Sequence, residues 1–208
     1  MKISPAPAQQ PAPTPAPAAP ATPKQWPSAP AMALKPNVSY TASIATTDGT
    51  IGVQLLPGAA PNAVNNFVFL AKQGFFTHVP IHRMIPGFML QSGDPTGTGM
   101  GGPGYEIPDD AVPADLTYTT GTLAMANTGR PNTGGSQFFV MLGDVPLPKT
   151  YSIFGKLTSG AEVLAKVNAR QVVDNGQGEL SKPAEPIEVT GVTITETPMQ
   201  APTATNPA

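Results

Sequence analysis

From Tyr40 onward, almost every apolar run in this chain is cut by glycine or proline before it reaches helical length. That punctuation favours many short strands over long helices. Tyr40 to Thr46 and Thr50 to Leu55 read as two strands, with Asp48-Gly49 between them as the turn signal of a hairpin. Further β-rich runs follow at Ile81–Ile85, Phe88–Ser92, Thr122–Ala126, Gln137–Met141 and Ser152–Leu157, and Glu188 to Thr195 alternates apolar and polar residues as a last strand. Only two stretches carry helical spacing. Pro61 opens the first, Val64, Phe67, Val68 and Ala71 form its apolar face, and Gly74 stops it. The second is predicted to start near Ser159, where Ser159 and Glu162 have capping-box spacing ahead of Val163, Leu164 and Val167. Pattern alone leaves a sandwich and a closed antiparallel barrel both open.

Composition changes sharply at the two ends. Residues 1–36 are dominated by proline and alanine, which supply few amide donors and little burial. They are expected to form a disordered arm or a semi-stiff polyproline spacer, with docking to a proline-binding domain as the lesser alternative. Trp26, the chain's only tryptophan, interrupts this segment and is either an anchor or simply exposed. A single domain is predicted from Asn37 to Glu196, followed by a disordered Pro/Ala/Thr tail over residues 197–208. The 208-residue chain has 11 Lys and Arg against 13 Asp and Glu, a net charge of −2. Such a balance provides no strong field for nucleic acid or an anionic membrane. No apolar run is long enough to span a bilayer. Met1-Lys2-Ile3-Ser4 runs straight into proline and alanine, without the pattern of a signal peptide. The compartment stays open between the cytoplasm and the cell envelope or exterior, the latter if an upstream signal has been removed. There is no cysteine, which excludes disulfides and thiolate chemistry. His78 and His82 lie four apart, but Pro80 between them argues against a helical metal pair, and no metal site is expected.

Two segments carry chemistry. Ile81-His82-Arg83-Met84-Ile85-Pro86-Gly87-Phe88-Met89-Leu90-Gln91-Ser92-Gly93-Asp94 puts one arginine and one glutamine into a run otherwise apolar and glycine-rich. An arginine in such company is costly unless something uses it. Met125-Ala126-Asn127-Thr128-Gly129-Arg130-Pro131-Asn132-Thr133-Gly134-Gly135-Ser136-Gln137-Phe138-Phe139 has the same character. The glycines from Gly93 to Gly102 could suggest a phosphate loop, but no lysine follows in the required spacing. They fit better as a loop edging a groove.

Together the two segments resemble the signature segments of the cyclophilin peptidyl-prolyl cis-trans isomerases, in a bacterial-like version. The resemblance implies a mainly β fold, a closed eight-stranded antiparallel barrel capped by two α-helices. It also implies rotation of X-Pro bonds in peptides and folding proteins, with no cofactor. Arg83 matches the catalytic arginine, and Gln91 matches the glutamine that holds substrate backbone and helps orient it. Phe88, Met89, Phe139 and Leu147 match the walls of the proline pocket, Asn127 a backbone anchor, and Ala126, Thr128 and Gln137 the neighbouring groove. Within Val145-Pro146-Leu147-Pro148-Lys149-Thr150-Tyr151 the sequence departs from the best-known pattern. Pro146 stands where a tryptophan associated with cyclosporin binding is common, so cyclosporin is expected to bind weakly. Tyr151 stands where a histidine is common and keeps an aromatic wall. Expected partners are proline-containing peptides and unfolded protein clients, on a monomer, since no sustained heptad appears. The competing reading is a proline-peptide binding module or holdase chaperone whose catalysis is incidental.

Overall fold

The computed structural model describes residues 24–199. Residues 1–23 of the expected arm and 200–208 of the expected tail lie outside the described residues. Eleven strands and two helices follow in the order β1 (Val38–Thr46), β2 (Gly49–Leu55), α1 (Pro61–Lys72), β3 (Val79–Pro80), β4 (Arg83–Ile85), β5 (Met89–Ser92), β6 (Thr122–Met125), β7 (Phe138–Met141), β8 (Ile153–Ser159), α2 (Ala161–Asn168), β9 (Val172–Asp174), β10 (Leu180–Pro183) and β11 (Glu188–Pro198). The fold is mainly β. Nine strands form one antiparallel sheet in the order β3-β11-β1-β2-β8-β6-β7-β5-β4, and β9 with β10 forms a separate hairpin.

The two outermost strands of that row, β3 and β4, are separated in the chain only by Ile81 and His82. The sheet must therefore curl until its edges nearly meet. Counted as one strand interrupted at Ile81-His82, β3 and β4 bring the wall to the eight strands expected. The hydrogen-bonded row itself is nine strands long, with its seam at this interruption.

Side chains alternate faces along each strand, so one register sorts the wall into two cores. Met84, Leu90, Val140 and Leu123 are cross-strand neighbours on β4, β5, β7 and β6, and Leu90, Val140 and Leu123 join Met84 in the main core. That core also holds Phe67 of α1 packed against Phe76, Phe138 and Phe154. The other face of the same strands contributes Met89, Ala124, Phe139 and Met141 to a smaller cluster.

α1 begins at Pro61 as predicted, but its first turn is capped from a distance. Asp110 accepts hydrogen bonds from the Asn62 and Ala63 amides at 3.1 and 2.9 Å. Gly74 follows the helix with φ of +66°, the left-handed stop that glycine allows. The expected capping box of α2 does not form. β8 continues through Ser159, which pairs with Gly52, and the helix is entered at Gly160 with φ of +86° and no side-chain cap. A Cβ on Gly160 would come within 2.6 Å of the Thr50 carbonyl oxygen, so the chain turns here by glycine's backbone freedom.

Residues 24–36, which composition assigns to the spacer, lie along α1. The Trp26 ring packs at 5.3 Å from Phe69 and 5.9 Å from Phe75, and its amide donates to the Pro103 carbonyl at 2.9 Å. Asn65 holds the Ala33 amide at 2.9 Å and donates to the Ala31 carbonyl at 3.1 Å. At the other end β11 runs through Thr197 to Pro198, beyond the expected domain end, and the Met199 amide bonds the Asn37 carbonyl.

Candidate active site

The site is built on the outer face of β4, β5, β7 and β6, and the register places its residues. Arg83 pairs across from Gln91, Gln91 from Phe139, and Phe139 from Ala124, all on one face. Met89 and Met141 pair one step along. A slip of one residue would turn Arg83 into the main core. Two loops complete the wall: Ala126 and Asn127 follow β6, and Leu147 and Tyr151 lie between β7 and β8.

Nine of the eleven residues singled out from the sequence surround one cavity of about 170 Å³: Arg83, Phe88, Met89, Gln91, Ala126, Asn127, Phe139, Leu147 and Tyr151. The Tyr151 ring meets Phe139 edge-on at 5.4 Å. Tyr118, underneath, donates to the Tyr151 carbonyl at 2.8 Å, and Asn127 Nδ2 donates to the Thr150 carbonyl at 2.9 Å, which ties the loop to the wall. Pro146 is exposed and does not line this cavity. The other two, Thr128 and Gln137, line an adjoining cavity of about 610 Å³, which Gln91, Ala126 and Asn127 also border.

That second cavity is edged by the Gly93–Gly102 loop. Gly93 has φ of +93°, and a Cβ there would lie 2.8 Å from the Gln137 Cα, so only glycine lets the loop leave β5 this close to β7. Asp94, fully buried, then organises the loop from inside. Its carboxylate accepts from the amides of Thr96, Thr98, Gly99 and Gly101 and from the Thr96 hydroxyl. Burial alone would raise its pKa, but these hydrogen bonds outweigh it and hold the carboxyl low. Gln137 Nε2 donates to the Gly99 and Gly101 carbonyls at 2.9 Å each, fixing the loop against β7.

The polar contacts depart from the expectation in one respect. Gln91 does not hold Arg83: its Nε2 donates to Gln137 Oε1 at 2.8 Å. The Arg83 guanidinium is held instead by Glu179, with Nε to Oε2 at 2.8 Å and Nη2 to Oε1 at 2.6 Å. The third nitrogen, Nη1, lies 4.0 Å from Met89 Sδ in the cavity wall. The Arg83 bonds pull Glu179 down to about 2, and Glu179 in turn raises Arg83 above its ordinary value. Beside Arg83, His82 is pushed below the usual imidazole value by burial, against the opposite pull of Asp94. Glu179 escaped the sequence reading altogether. The stretch Asp174-Asn175-Gly176-Gln177-Gly178 is a turn signal that could have announced the β9–β10 hairpin. Nothing in it says which distant residue the hairpin reaches.

A family model for the cyclophilin type peptidyl-prolyl cis-trans isomerases and cyclophilin-like domains matches residues 41–194. The chain belongs to this family. It is 39% identical over 197 residues to the probable peptidyl-prolyl cis-trans isomerase B of Mycobacterium tuberculosis, covering 82% of this chain and 63% of that protein. The chain thus spans less than two thirds of that relative's length. Identity to the peptidyl-prolyl cis-trans isomerase of Helicobacter pylori is 42% over 137 residues, 64% of this chain and 83% of that protein. Among solved structures, a Cryptosporidium parvum cyclophilin superposes with a TM-score of 0.70 at 35% identity, over 77% of this chain and 99% of that one. The same Cryptosporidium isomerase, crystallised in the presence of the dipeptide Ala-Pro, gives 0.68 at 35% identity, over 74% of this chain and 98% of that one.

Proposed function

We propose that this cyclophilin catalyses cis-trans rotation of X-Pro peptide bonds in peptides and folding proteins. The carrying observation is an arginine donor at the rim of a small apolar cavity. Arg83 lines the same cavity as Phe88, Met89, Phe139 and Leu147, and its Nη1 lies 4.0 Å from Met89 Sδ in the wall. Amide resonance sets the rotation barrier at about 18–20 kcal/mol, while the two X-Pro isomers differ by only about 0.5–1 kcal/mol. No covalent bond is made or broken, so neither nucleophile nor cofactor is required. What accelerates the rotation is a site that holds the ring and donates a hydrogen bond to the prolyl nitrogen once it has left the amide plane. That bond exists only in the twisted state and is therefore differential stabilisation. Here the apolar cavity takes the proline ring, Arg83 supplies the donor, and Gln91 and Asn127 offer polar groups to the flanking backbone. Ala126, Thr128 and Gln137 border the second cavity, where residues preceding the proline would lie. Recognition of proline and backbone implies broad substrate use.

The test is a proline-limited peptide isomerisation assay on wild type and Arg83→Ala. Loss of the donor should lower kcat/KM about 100-fold while peptide binding persists in part. Retained acceleration in Arg83→Ala would take the donor role away from Arg83, whereas no acceleration by the folded wild type would favour the other reading, a binding module or holdase. Cyclosporin is expected to inhibit only above the nanomolar range, because exposed Pro146 offers neither an indole donor nor its area. Installing the indole in Pro146→Trp should tighten inhibition about tenfold, roughly 1.4 kcal/mol. Nanomolar inhibition of the wild type would refute this.

A further inference from the structure

We infer that Glu179 is a positioning residue for the isomerase site, fixing the Arg83 guanidinium so that Nη1 faces the proline cavity. The inference rests on the isomerase reading above. An arginine side chain is long and loses much rotamer freedom when it must act from one position. In this site Gln91 is committed to Gln137, so the fork of Arg83 has a single strong acceptor. Glu179 takes the Nε and Nη2 edge with two parallel bonds, the geometry that fixes a guanidinium in plane as well as in place. Among the described residues the Nη1 edge is left with only the long 4.0 Å contact to Met89 Sδ.

The carboxylate is itself delivered by a preorganised element. Glu179 closes the β9–β10 hairpin, with its carbonyl accepting from the Asn175 amide at 2.9 Å. The tip is braced by side chains: Asp174 Oδ1 accepts from the Gly176 amide at 2.6 Å, and Asn175 Oδ1 from the Gln177 amide at 2.8 Å. The turn is therefore braced by bonds that do not involve Arg83. Neither partner is deeply buried, the side chains being 33% and 40% exposed, so the pair's role lies in direction more than in stability.

The experiment is two-dimensional NMR exchange on a proline peptide with wild type, Glu179→Ala, Glu179→Gln and Glu179→Asp, which reads isomerisation rate and peptide affinity separately. Positioning predicts a rate about tenfold lower in Glu179→Ala with nearly unchanged affinity. Glu179→Gln, with one acceptor oxygen left, and Glu179→Asp, one methylene shorter, should fall between. Salt should slow the wild type toward the Glu179→Ala rate and leave that variant unaffected, a response that a merely structural role would not produce. A faster Glu179→Ala would mean that Glu179 restrains Arg83 against catalysis. An unchanged rate would mean a passive surface pair. Either result overturns the inference. The Arg83 Nε–H signal, expected to be sharp in the wild type and broadened in Glu179→Ala, reads the clamp without catalysis. A wild type that shows this signal but no acceleration would sink the isomerase reading instead. A thermal melt of each variant controls for folding.

Discussion

Arg83 taken alone is one more arginine, and a solvated surface cation is its ordinary fate. Its neighbours along the chain mark it as a candidate site residue, and its neighbours across the sheet place it at the rim of the apolar cavity. Gln91 and Phe139 stand beside it because the register of β4, β5 and β7 leaves them no other face. His82, the next residue back, faces the opposite constraint. Both its ring nitrogens are buried and make no hydrogen bond, and burial pushes its pKa below 6.5. The unfolded chain, where this imidazole titrates normally, takes up the proton first as pH falls. Stability from the neutral ring is thus complete above about pH 6.5 and drains below it, toward the depressed folded-state value. The carboxylates held low by their partners, Asp48, Asp94 and Glu179, contribute above the ordinary carboxyl range and are lost only at more acid pH. Asp110, whose carboxyl burial pushes up, shifts stability the opposite way at the acid end of this window, so the contribution of His82 is read as the difference between wild type and His82→Leu between about pH 6.5 and 5. Urea midpoints should fall across that window in the wild type and change much less in His82→Leu. Parallel curves for the two proteins would refute a neutral buried ring.

At the scale of elements, legibility followed locality. Strand runs and the first helix could be read because period-2 and period-3.6 patterns are written in consecutive residues. Pro61 and Gly74 mark α1 by backbone chemistry that needs no partner. Misreadings arose where a distant element decides. Ser159 and Glu162 have the spacing of a capping box, yet Ser159 is held in β8 by pairing with Gly52, and that ladder outbids a local cap. Asp110 caps α1 from a loop 47 residues away from Ala63, which no local motif can announce. The site divides along the same line. The two signature segments carry the cavity wall and its donor, whereas Glu179 lies 96 residues from Arg83 and arrives by way of a hairpin outside both. Composition likewise gave residues 24–36 to a spacer because proline and alanine carry little burial. The packing there comes from Trp26 and from backbone groups meeting Asn65.

For the molecule as a whole, that last segment decides where the stable unit begins. Between Lys24 and Pro36 the chain covers one side of α1, with Trp26 against Phe69 and Phe75 and the Lys35 amide bonded to the buried Tyr40 hydroxyl at 2.7 Å. Two aromatic contacts of about 0.5–1.5 kcal/mol each, beyond their buried area, set the scale of what this cover contributes. A chain starting at Asn37 should be less stable than one starting at Lys24 by about 2–4 kcal/mol in urea titration. The chain starting at Lys24, which keeps every contact described for this segment, is the reference for that loss. The same segment also reaches the substrate side, because Gln25 borders the second cavity opposite Ala126, Asn127 and Thr128. Starting at Asn37 removes that border, so peptides long enough to fill the second cavity should lose affinity while short proline peptides bind as before. Equal stability of the two truncated chains would show the cover to be dispensable. A loss of affinity for short and long peptides alike would trace the effect to general loosening of the barrel rather than to Gln25.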